Sequence, residues 1–372
     1  MQNPREKTRA ILHYENFDSV PVVHFGWWTE LLEKWTAEGH LSAAAEEKRR
    51  NKIPIDNQIG LDLGFDFPWD ATIETSFYPM PGFENKIVAE LPDGFFITQN
   101  GAGQLQKWKP NINSPASPVG TLLKGRKEWE ELYLPRLQPS IKRYNAEYIR
   151  NTDFAAITDH PVILHLGSLY GSIRDMLGVT ELSYLQADDE ELYAEIISTM
   201  GSLCYENTRA ILEMGVRPDS GHYWEDICFK NGPLVNPVAF RKYVAPQYRR
   251  ISDLLAAYGV DIISLDCDGC IDRLVPIWLE SGVNTMFPIE VGTWGGSLAP
   301  WRAQYGKALR GVGGINKFVF EQDYQAVDRE IERLRPMIED GGYIPCPDHR
   351  LTPGAKWEVV QYYCEKMRSL RV

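Results

Sequence analysis

Several features that define whole classes of protein are missing from this sequence of 372 residues. Residues 1–23 contain no apolar stretch of the roughly 7 to 15 residues that a secretory signal needs. No later run approaches the roughly 20 apolar residues of a membrane-spanning helix. We therefore expect a cytoplasmic protein that does not act at a membrane.

The sequence also lacks an excess of positive charge. It has 39 Lys and Arg against 51 Asp and Glu, a net charge of −12, and no long block of like charge. A surface that binds phosphate backbones or anionic lipids needs clustered cations. Nucleic acid is therefore not expected as a partner.

Cysteine and nucleotide-binding motifs are sparse as well. Six cysteines in a chain of this length do not form a dense disulfide framework, so they are either core thiols or metal ligands. No GxGxxG follows an early strand, and no GxxxxGK[ST] loop occurs. A doubly wound nucleotide-binding sheet is therefore only the second choice of fold.

Aromatic residues, by contrast, are abundant. The chain contains 11 Trp, 18 Tyr and 14 Phe within an ordinary globular composition of 44% hydrophobic and 24% charged residues. Large flat side chains in such number suit either a thick core or an aromatic-lined pocket. Composition alone leaves both open.

Short apolar runs alternate with long amphipathic stretches from about residue 155 onward. This pattern predicts strands at 155–166, 217–223, 261–266, 285–288, 308–313 and 342–345, and helices that include 188–214, 237–258, 271–281 and 323–340. A further strand is predicted at 19–25. Strands separated by helices favour a parallel sheet, and the length favours a (β/α)8 TIM barrel.

The region from about 60 to 135 differs from the rest. It predicts short alternating strands at 86–91, 94–100 and 103–109, separated by Pro and Gly turns, which is typical of an inserted antiparallel meander. No repeat, low-complexity tract or flexible linker divides the sequence. We therefore expect one domain over 1–372 that carries this insertion.

Polar and aromatic residues cluster where the predicted strands end, and in a parallel barrel the chemistry collects at those carboxyl ends. The catalytic candidates there are Asp266, Asp268, His349 and Glu225. The substrate-binding candidates are His24, Trp27, Trp28, Trp69, His165, Asp226 and Glu290.

Some of these candidates also have a purely structural interpretation. His24 and His165 alternate with apolar neighbours, as hydrogen-bonded interior histidines do. Glu225 and Asp226 are adjacent, so only one of them faces the barrel axis while the strand continues. The tryptophans either pack the barrel mouth or stack on a substrate.

Asp266 and Asp268 are two residues apart and so share one face at a strand end. Two carboxylates there repel unless they share a proton, bind a cation or ligate a metal. Cys267 and Cys270, with Cys346 and His349, form a second pattern that could build a tetrahedral zinc site. Cys267 points away from the two aspartates, so the two sites exclude each other.

Several ordered blocks resemble the superfamily of uroporphyrinogen decarboxylase and the related cobalamin-dependent methyltransferases. They are EKTRAILHYENFDSVPV, GSLYGSIRDMLG, WEDICFKNGPLVNPVAFRKYVAPQYRRI, DCDGCIDRLVPIWLESGVNTMFPIEVG, GVGGINK and GGYIPCPDHRLTPGAKWEVVQYYCEKMR. The resemblance covers most of the chain and implies a (β/α)8 barrel. Within the superfamily the chain looks similar to a branch that has DxDG and PDH in two of these blocks, and not to the uroporphyrinogen decarboxylases themselves.

The resemblance also carries departures that narrow the function. The decarboxylases grip their polycarboxylate with an Arg-containing segment after the first strand, whereas this sequence has no arginine from His24 to Lys48. The zinc-dependent methyltransferases carry His and Cys ligands where this sequence has Asp266, Asp268 and His349. These three residues are therefore candidates for a harder zinc or other divalent-metal site, or for a metal-free acid/base site.

The leading hypothesis is a methyltransferase that demethylates a small methyl ether or methylamine. The resemblance implies that the methyl group passes to a Co(I) corrinoid on a separate protein, because the chain has no Asp-x-His-x-x-Gly block of its own. His349 or one of the two aspartates would act as the acid for the leaving group. The alternatives are a decarboxylase or lyase acting on a small carboxylate, and a non-catalytic barrel that binds a ligand or a corrinoid; a homodimer is a further expectation.

Overall fold

A six-stranded parallel sheet forms the centre of the computed structural model, which describes residues 2–110 and 116–371. The strands lie side by side in the order Tyr343–Pro347, Arg310–Ile315, Thr285–Phe287, Ile263–Asp266, Ser220–Trp224 and Ile163–Gly167. Each strand neighbours the one before it in sequence, and helices connect them. The fold is therefore mixed α/β, and the predicted parallel sheet is confirmed.

Burial on both faces explains why these segments form a parallel sheet. All residues of Ile263–Asp266 and Tyr343–Pro347 are buried, as expected for strands covered by helices on one side and by core on the other. The cover includes the helix Glu190–Glu213, whose Asp189 caps the first turn by accepting from the Leu192 amide. Its buried face recurs every three or four residues and contains Leu192, Tyr193, Ile196, Ile197, Met200 and Leu203.

Helices connect and flank the strands. The α-helices are Pro4–Leu12, Thr29–Ala37, Ala43–Arg50, Asp56–Leu63, Arg126–Glu128, Ala146–Asn151, Gly171–Leu177, Val179–Asp188, Glu190–Glu213, Pro237–Ala239, Ala245–Ala257, Val275–Glu280, Val291–Trp294, Leu298–Tyr305, Tyr324–Glu339 and Trp357–Ser369. Shorter 3₁₀ turns are Leu134–Arg136, Ile141–Arg143, Gly306–Ala308 and Lys317–Glu321. Wider π turns are Trp129–Tyr133 and Phe240–Val244. Within the described residues, no helix is both long and apolar enough to cross a membrane.

Two short parallel strands, Val23–His24 and Phe67–Pro68, pair with each other beside the six-stranded sheet. Single β-bridges connect the segments after these two strands to the two edges of the six-stranded sheet. Ile73 pairs with Leu164 of the edge strand Ile163–Gly167, and Trp27 pairs with Leu351, which follows the other edge strand. Backbone hydrogen bonds reinforce both links, since the His165 amide donates to the Ile73 carbonyl and the Leu351 amide donates to the Gly26 carbonyl. The amino-terminal strand is thereby tied to the segment that follows the last strand.

A second, antiparallel sheet of four strands lies within the region 60–135 that was predicted to be an insertion. Its strands are Lys86–Glu90, Phe96–Gln99, Gln104–Trp108 and Ser117–Thr121, each paired with the next. The three predicted strands are confirmed, and the fourth was not predicted because Pro118 and Gly120 interrupt its pattern. A hairpin of two-residue strands, Cys228–Phe229 and Gly232–Pro233, lies elsewhere. Residues 111–115 of the predicted insertion lie outside the described residues.

Some predicted boundaries are wrong. The strand predicted at 155–166 begins only at Ile163, because 155–160 is largely exposed and Pro161 cannot donate to a ladder. The strand predicted at 19–25 shortens to Val23–His24, with Pro21 just before it. The helix predicted over 237–258 contains the π turn Phe240–Val244, since Pro246 lacks the N–H for a regular bond.

Candidate functional site

A cavity of about 900 Å³ opens where the parallel strands end. Nine predicted site residues line it: His24, Trp27, Trp28, Trp69, His165, Asp226, Asp266, Asp268 and His349. They come from segments more than 300 residues apart in the chain. The strand order accounts for this, because carboxyl ends of parallel strands meet at one edge.

Glu225 does not line this cavity. Its carboxylate is fully buried and accepts five hydrogen bonds, from the Ser168 and Tyr248 hydroxyls and from the amides of Leu169, Tyr170 and Gly171. Gly171 is needed for this approach, because a Cβ there would lie 1.9 Å from the Glu225 carbonyl oxygen. In this arrangement Glu225 anchors the segment after the strand Ile163–Gly167.

Glu290 also lies outside the cavity lining. Its buried carboxylate accepts from the Gly269 amide at 2.6 Å and from the Thr293 hydroxyl at 2.7 Å. The Lys317 ammonium is 3.9 Å away and balances part of its charge. Glu290 therefore stabilises the loop that carries Asp268, through its hydrogen bond to the next residue, Gly269.

Of the two adjacent acids 225 and 226, the structure places Asp226 in the cavity. Its backbone has φ of 54°, a left-handed conformation that Asp tolerates better than most residues. The Arg174 guanidinium donates to its carbonyl, and its carboxylate accepts from the Asp268 amide at 3.2 Å. Burial, and then the nearby Asp268 charge, raise the pKa of Asp226.

Asp266 ends its strand with its side chain in the cavity and only 9% exposed. Within the described residues, no side chain or amide donates to its carboxylate. Burial raises the pKa of Asp266 well above its usual range, and the charges of Asp268, Asp226 and Asp70 act in the same direction. The carboxyl is therefore poised to hold a proton or a cation.

Asp268 and His349 form an acid–base pair. His349 Nε2 lies 3.1 Å from Asp268 Oδ2. Trp28 stacks on the imidazole with ring centroids 5.7 Å apart, and Phe25 meets it edge-on at 5.3 Å. The other polar atoms of the pair, Asp268 Oδ1 and His349 Nδ1, are buried and have no hydrogen-bond partner in the part of the chain described. The described protein groups thus leave one polar atom of each residue without a hydrogen bond.

Three further histidines lining the cavity are held neutral. Burial lowers the pKa of His24 to about 3 and that of His165 to about 4. His222 has a pKa lowered to about 3 by burial and, secondarily, by His165. His24 and His165 accept from the amides two residues on, and His222 Nδ1 lies 2.7 Å from the Ser264 hydroxyl. They provide neutral polar lining rather than charge.

Tryptophans form the apolar wall. Trp27 stacks on His24 with centroids 4.9 Å apart and donates from Nε1 to the Asp56 carbonyl at 3.2 Å. Trp69 is almost completely buried, yet its Nε1 has no partner within residues 2–110 and 116–371. Trp28 is the exposed member of the group. The predicted tryptophans thus lie at the cavity.

Eight charged or aromatic residues line the cavity in addition to the predicted site residues: Phe25, Lys48, Asp56, Asp70, Glu74, His222, Trp224 and Arg350. The sequence already places His222 and Trp224 at the end of the predicted strand 217–223 and Asp70 next to Trp69, but their residue types alone gave them no role. Asp70 and Glu74 lie in a segment without a predicted strand. Burial, followed by the Asp70 charge, raises the pKa of Glu74 to about 7.

The three predicted metal ligands line the same cavity without forming a metal site. Asp268 and His349 are bound to each other, and among residues 2–110 and 116–371 no group of three or more His, Cys, Asp or Glu side chains is placed to hold an ion. Among the same described residues, the cysteine alternative of Cys267, Cys270, Cys346 and His349 is likewise not placed to hold an ion. The arrangement therefore does not fit a metal held by Asp266, Asp268 and His349.

The chain is similar to solved structures in its fold. A methyltransferase from Methanosarcina mazei matches it with a TM-score of 0.63 and 14% sequence identity, over 99% of each chain. A B12-independent methionine synthase from Shewanella sp. W3-18-1 matches with a TM-score of 0.45 and 11% identity, over 84% of this chain and 85% of that chain. No family model matches the sequence, and no curated protein does. The full-length match to the first structure establishes likeness of fold.

Proposed function

We propose that this protein is a methyltransferase of the uroporphyrinogen decarboxylase-like superfamily. It takes a methyl group from a small methylated compound and passes it to a corrinoid carried by a separate protein. The eight parallel strands, including Val23–His24 and Phe67–Pro68, close into a (β/α)8 barrel in this proposal. The bridges Ile73–Leu164 and Trp27–Leu351 support that closure.

The hydrogen-bonded pair of His349 and Asp268 carries the functional proposal. It lies in an aromatic-walled cavity, and each member has a buried polar atom without a partner among the described residues. Such a pair suits proton delivery to a leaving heteroatom, because the carboxylate orients the imidazole and stabilises its protonated form. The likeness of fold to a methyltransferase over the whole chain adds to this argument.

The chain's own residues have distinct roles in the proposed reaction. Trp28 and Phe25 hold the imidazole of His349 in place, and Asp268 stabilises its positive charge. His349 keeps a proton on the heteroatom from which the methyl group departs, since alkoxide and amide are poor leaving groups. A reduced corrinoid, when bound, supplies the nucleophile for the methyl carbon. The nearly fully buried side chains of Trp27 and Trp69 make the adjoining wall apolar.

A decarboxylase or lyase acting on a small carboxylate is the second candidate. Arg350 favours it, because this residue lines the cavity and no ion pair to it lies within the described residues. An unpaired guanidinium is suited to a carboxylate. Release of carbon dioxide without any corrinoid would identify this reaction.

The decisive experiment incubates the purified protein with reduced cobalamin and a panel of methoxylated and N-methylated compounds. Loss of the reduced corrinoid absorbance and formation of the demethylated compound are measured together. We expect both to occur with the same substrate and to fall about 100-fold in Asp268→Asn. The proposal is wrong if no compound across a broad panel loses a methyl group.

A further inference from the structure

The cavity is lined by more acidic than basic side chains. Its acidic lining residues are Asp56, Asp70, Glu74, Asp226, Asp266 and Asp268, whereas its lining cations are Lys48 and Arg350. The Lys48 ammonium donates to the Gln58 side chain at 3.1 Å. Among the described residues, the one ion pair that involves any of these acids joins Asp268 to His349. The cavity therefore attracts positive charge.

Asp266 supplies a separate indication of a ligand. Its side chain is only 9% exposed, lines the cavity, and has no hydrogen-bond donor from the described residues. Burial and the neighbouring acids disfavour the ionised form of this carboxyl, and the Arg350 charge opposes them, so a cation brought by a ligand would stabilise the ionised form further. The buried carboxylate of Glu225, by contrast, accepts five hydrogen bonds. Asp266 is thus suited to a counter-ion that comes with the ligand.

Aromatic walls determine what kind of cation fits. Trp27, Trp28, Trp69 and Trp224 line the same cavity as Asp266. One face of Trp27 stacks on His24, and one face of Trp28 stacks on His349. The Arg174 guanidinium already lies over the Trp224 ring, so a cation bound at an indole face has a precedent within this fold. Indole faces attract cations that are weakly hydrated, and alkylated ammonium ions are the best example. A metal ion instead needs several converging ligands, and within residues 2–110 and 116–371 no three-ligand group is placed to hold one. The combination favours an organic cation over an inorganic one.

We propose that the cavity binds a methylated organic ammonium ion, with Asp266 as its buried counter-ion and tryptophan faces around its methyl groups. This inference rests on the proposed function, because it takes the ligand to be the methyl donor. It narrows the substrate from methylated compounds in general to a cationic nitrogen compound.

The transfer step balances for this substrate. A nucleophile forms a bond to the methyl carbon, the C–N bond breaks, and its electron pair stays on nitrogen. The leaving group is then a neutral amine. A quaternary ammonium ion needs no proton for this step, whereas a tertiary or secondary amine must keep its N–H proton until the bond breaks. His349 would hold the proton in the second case.

Ligand binding, measured without any corrinoid, tests the inference. Tetramethylammonium is titrated into the full-length protein at pH 7 by calorimetry, and tert-butanol serves as a neutral compound of similar size. We expect the ammonium ion to bind at least about 10-fold more tightly, since a 10-fold change corresponds to about 1.4 kcal/mol. Equal binding of the two compounds would overturn the proposal.

Two variants identify the counter-ion. Asp266→Asn keeps the shape and removes the charge, so tetramethylammonium affinity should fall by about 10-fold or more. Asp188→Asn, an exposed change on another face, is the matched control and should leave affinity unchanged. Urea unfolding of each variant verifies the fold, and Asp226→Asn gives a second charge removal at the cavity. Full affinity in Asp266→Asn contradicts the inference.

The same experiments separate this inference from the proposed function. Ammonium binding without methyl transfer to reduced cobalamin supports the ligand and rejects the methyltransferase. Methyl transfer from a neutral ether, without ammonium binding, supports the methyltransferase and rejects the ammonium ligand. Binding of acetate that is lost in Arg350→Gln, with no ammonium binding, overturns the inference in favour of a carboxylate ligand.

Discussion

The substitution Glu225→Gln tests whether this residue is structural, as its surroundings indicate, or catalytic, as its position after a strand suggests. The Oε2 atom accepts from the Ser168 hydroxyl and from two amides of the segment 169–171, at 2.7 and 2.9 Å. The Oε1 atom accepts from the Leu169 amide at 2.7 Å and from the Tyr248 hydroxyl. A glutamine offers one oxygen and one NH₂ group to the same five donors.

The cost of Glu225→Gln follows from those contacts. In the best orientation the NH₂ group replaces Oε1, and the Tyr248 hydroxyl can turn to accept from it. The Leu169 amide then faces another donor and is left unsatisfied, at a cost of about 1–3 kcal/mol. The remaining bonds lose their charge assistance, which adds about 1 kcal/mol. We therefore expect the free energy of unfolding to fall by about 2–4 kcal/mol.

Urea unfolding, followed by fluorescence and circular dichroism, measures this change. Glu358→Gln, on the exposed side of the last helix, is the control and should change stability by less than about 0.5 kcal/mol. At temperatures where Glu225→Gln is folded, it should retain ligand binding. Unchanged stability together with lost activity would refute the reasoning and return Glu225 to the catalytic group.

Three further predictions follow from other parts of the molecule. His349→Gln should lower turnover by about 100-fold with a protonatable amine or an ether as donor, and much less with a quaternary ammonium donor; equal losses would contradict a role in proton delivery. Burial lowers the pKa of His222 from 6.5 to about 3, so the unfolded chain takes up this proton first and stability falls as pH drops below 6.5. Between pH 7 and pH 5 His222→Asn should therefore lose about 2 kcal/mol less stability than the parent protein, measured by urea unfolding at each pH. Gly313→Ala, with φ of 123° and a Cβ 1.5 Å from a backbone carbonyl oxygen, should destabilise by more than about 3 kcal/mol in the same assay. Gly295→Ala, with positive φ and no atom within 4 Å, should cost only about 1 kcal/mol.

Local pattern was sufficient for much of the architecture. The runs around 261–266 and 342–345 are apolar and bounded by turns, so they predict buried strands, and both are present as Ile263–Asp266 and Tyr343–Pro347. The pattern failed where proline removed a donor, as at Pro161. It also failed for Ser117–Thr121, because this strand is stabilised by pairing with Gln104–Trp108 rather than by its own sequence.

The sequence also showed which polar residues follow the strands, but it did not show the role of each residue. Asp266 and Asp268 were predicted to share a face from their spacing, and both line the cavity. Glu225 and Asp226 were indistinguishable in sequence. The structure separates them. The Glu225 carboxylate accepts hydrogen bonds from amides of the segment after a neighbouring strand, whereas Asp226 lines the cavity.

The sequence by itself determined the parallel α/β pattern, the antiparallel strands between residues 86 and 108 and the set of polar residues at strand ends, because these depend on periodicity and neighbouring side chains. Only the tertiary structure decided which of those residues meet. The contact between His349 and Asp268 joins positions 81 residues apart. The bare carboxylate of Asp266 and the neutral state of His222 likewise depend on which strands lie side by side and on how far each side chain is removed from water. Such contacts, and the burial that sets protonation states, arise from packing between distant segments, which no local pattern encodes.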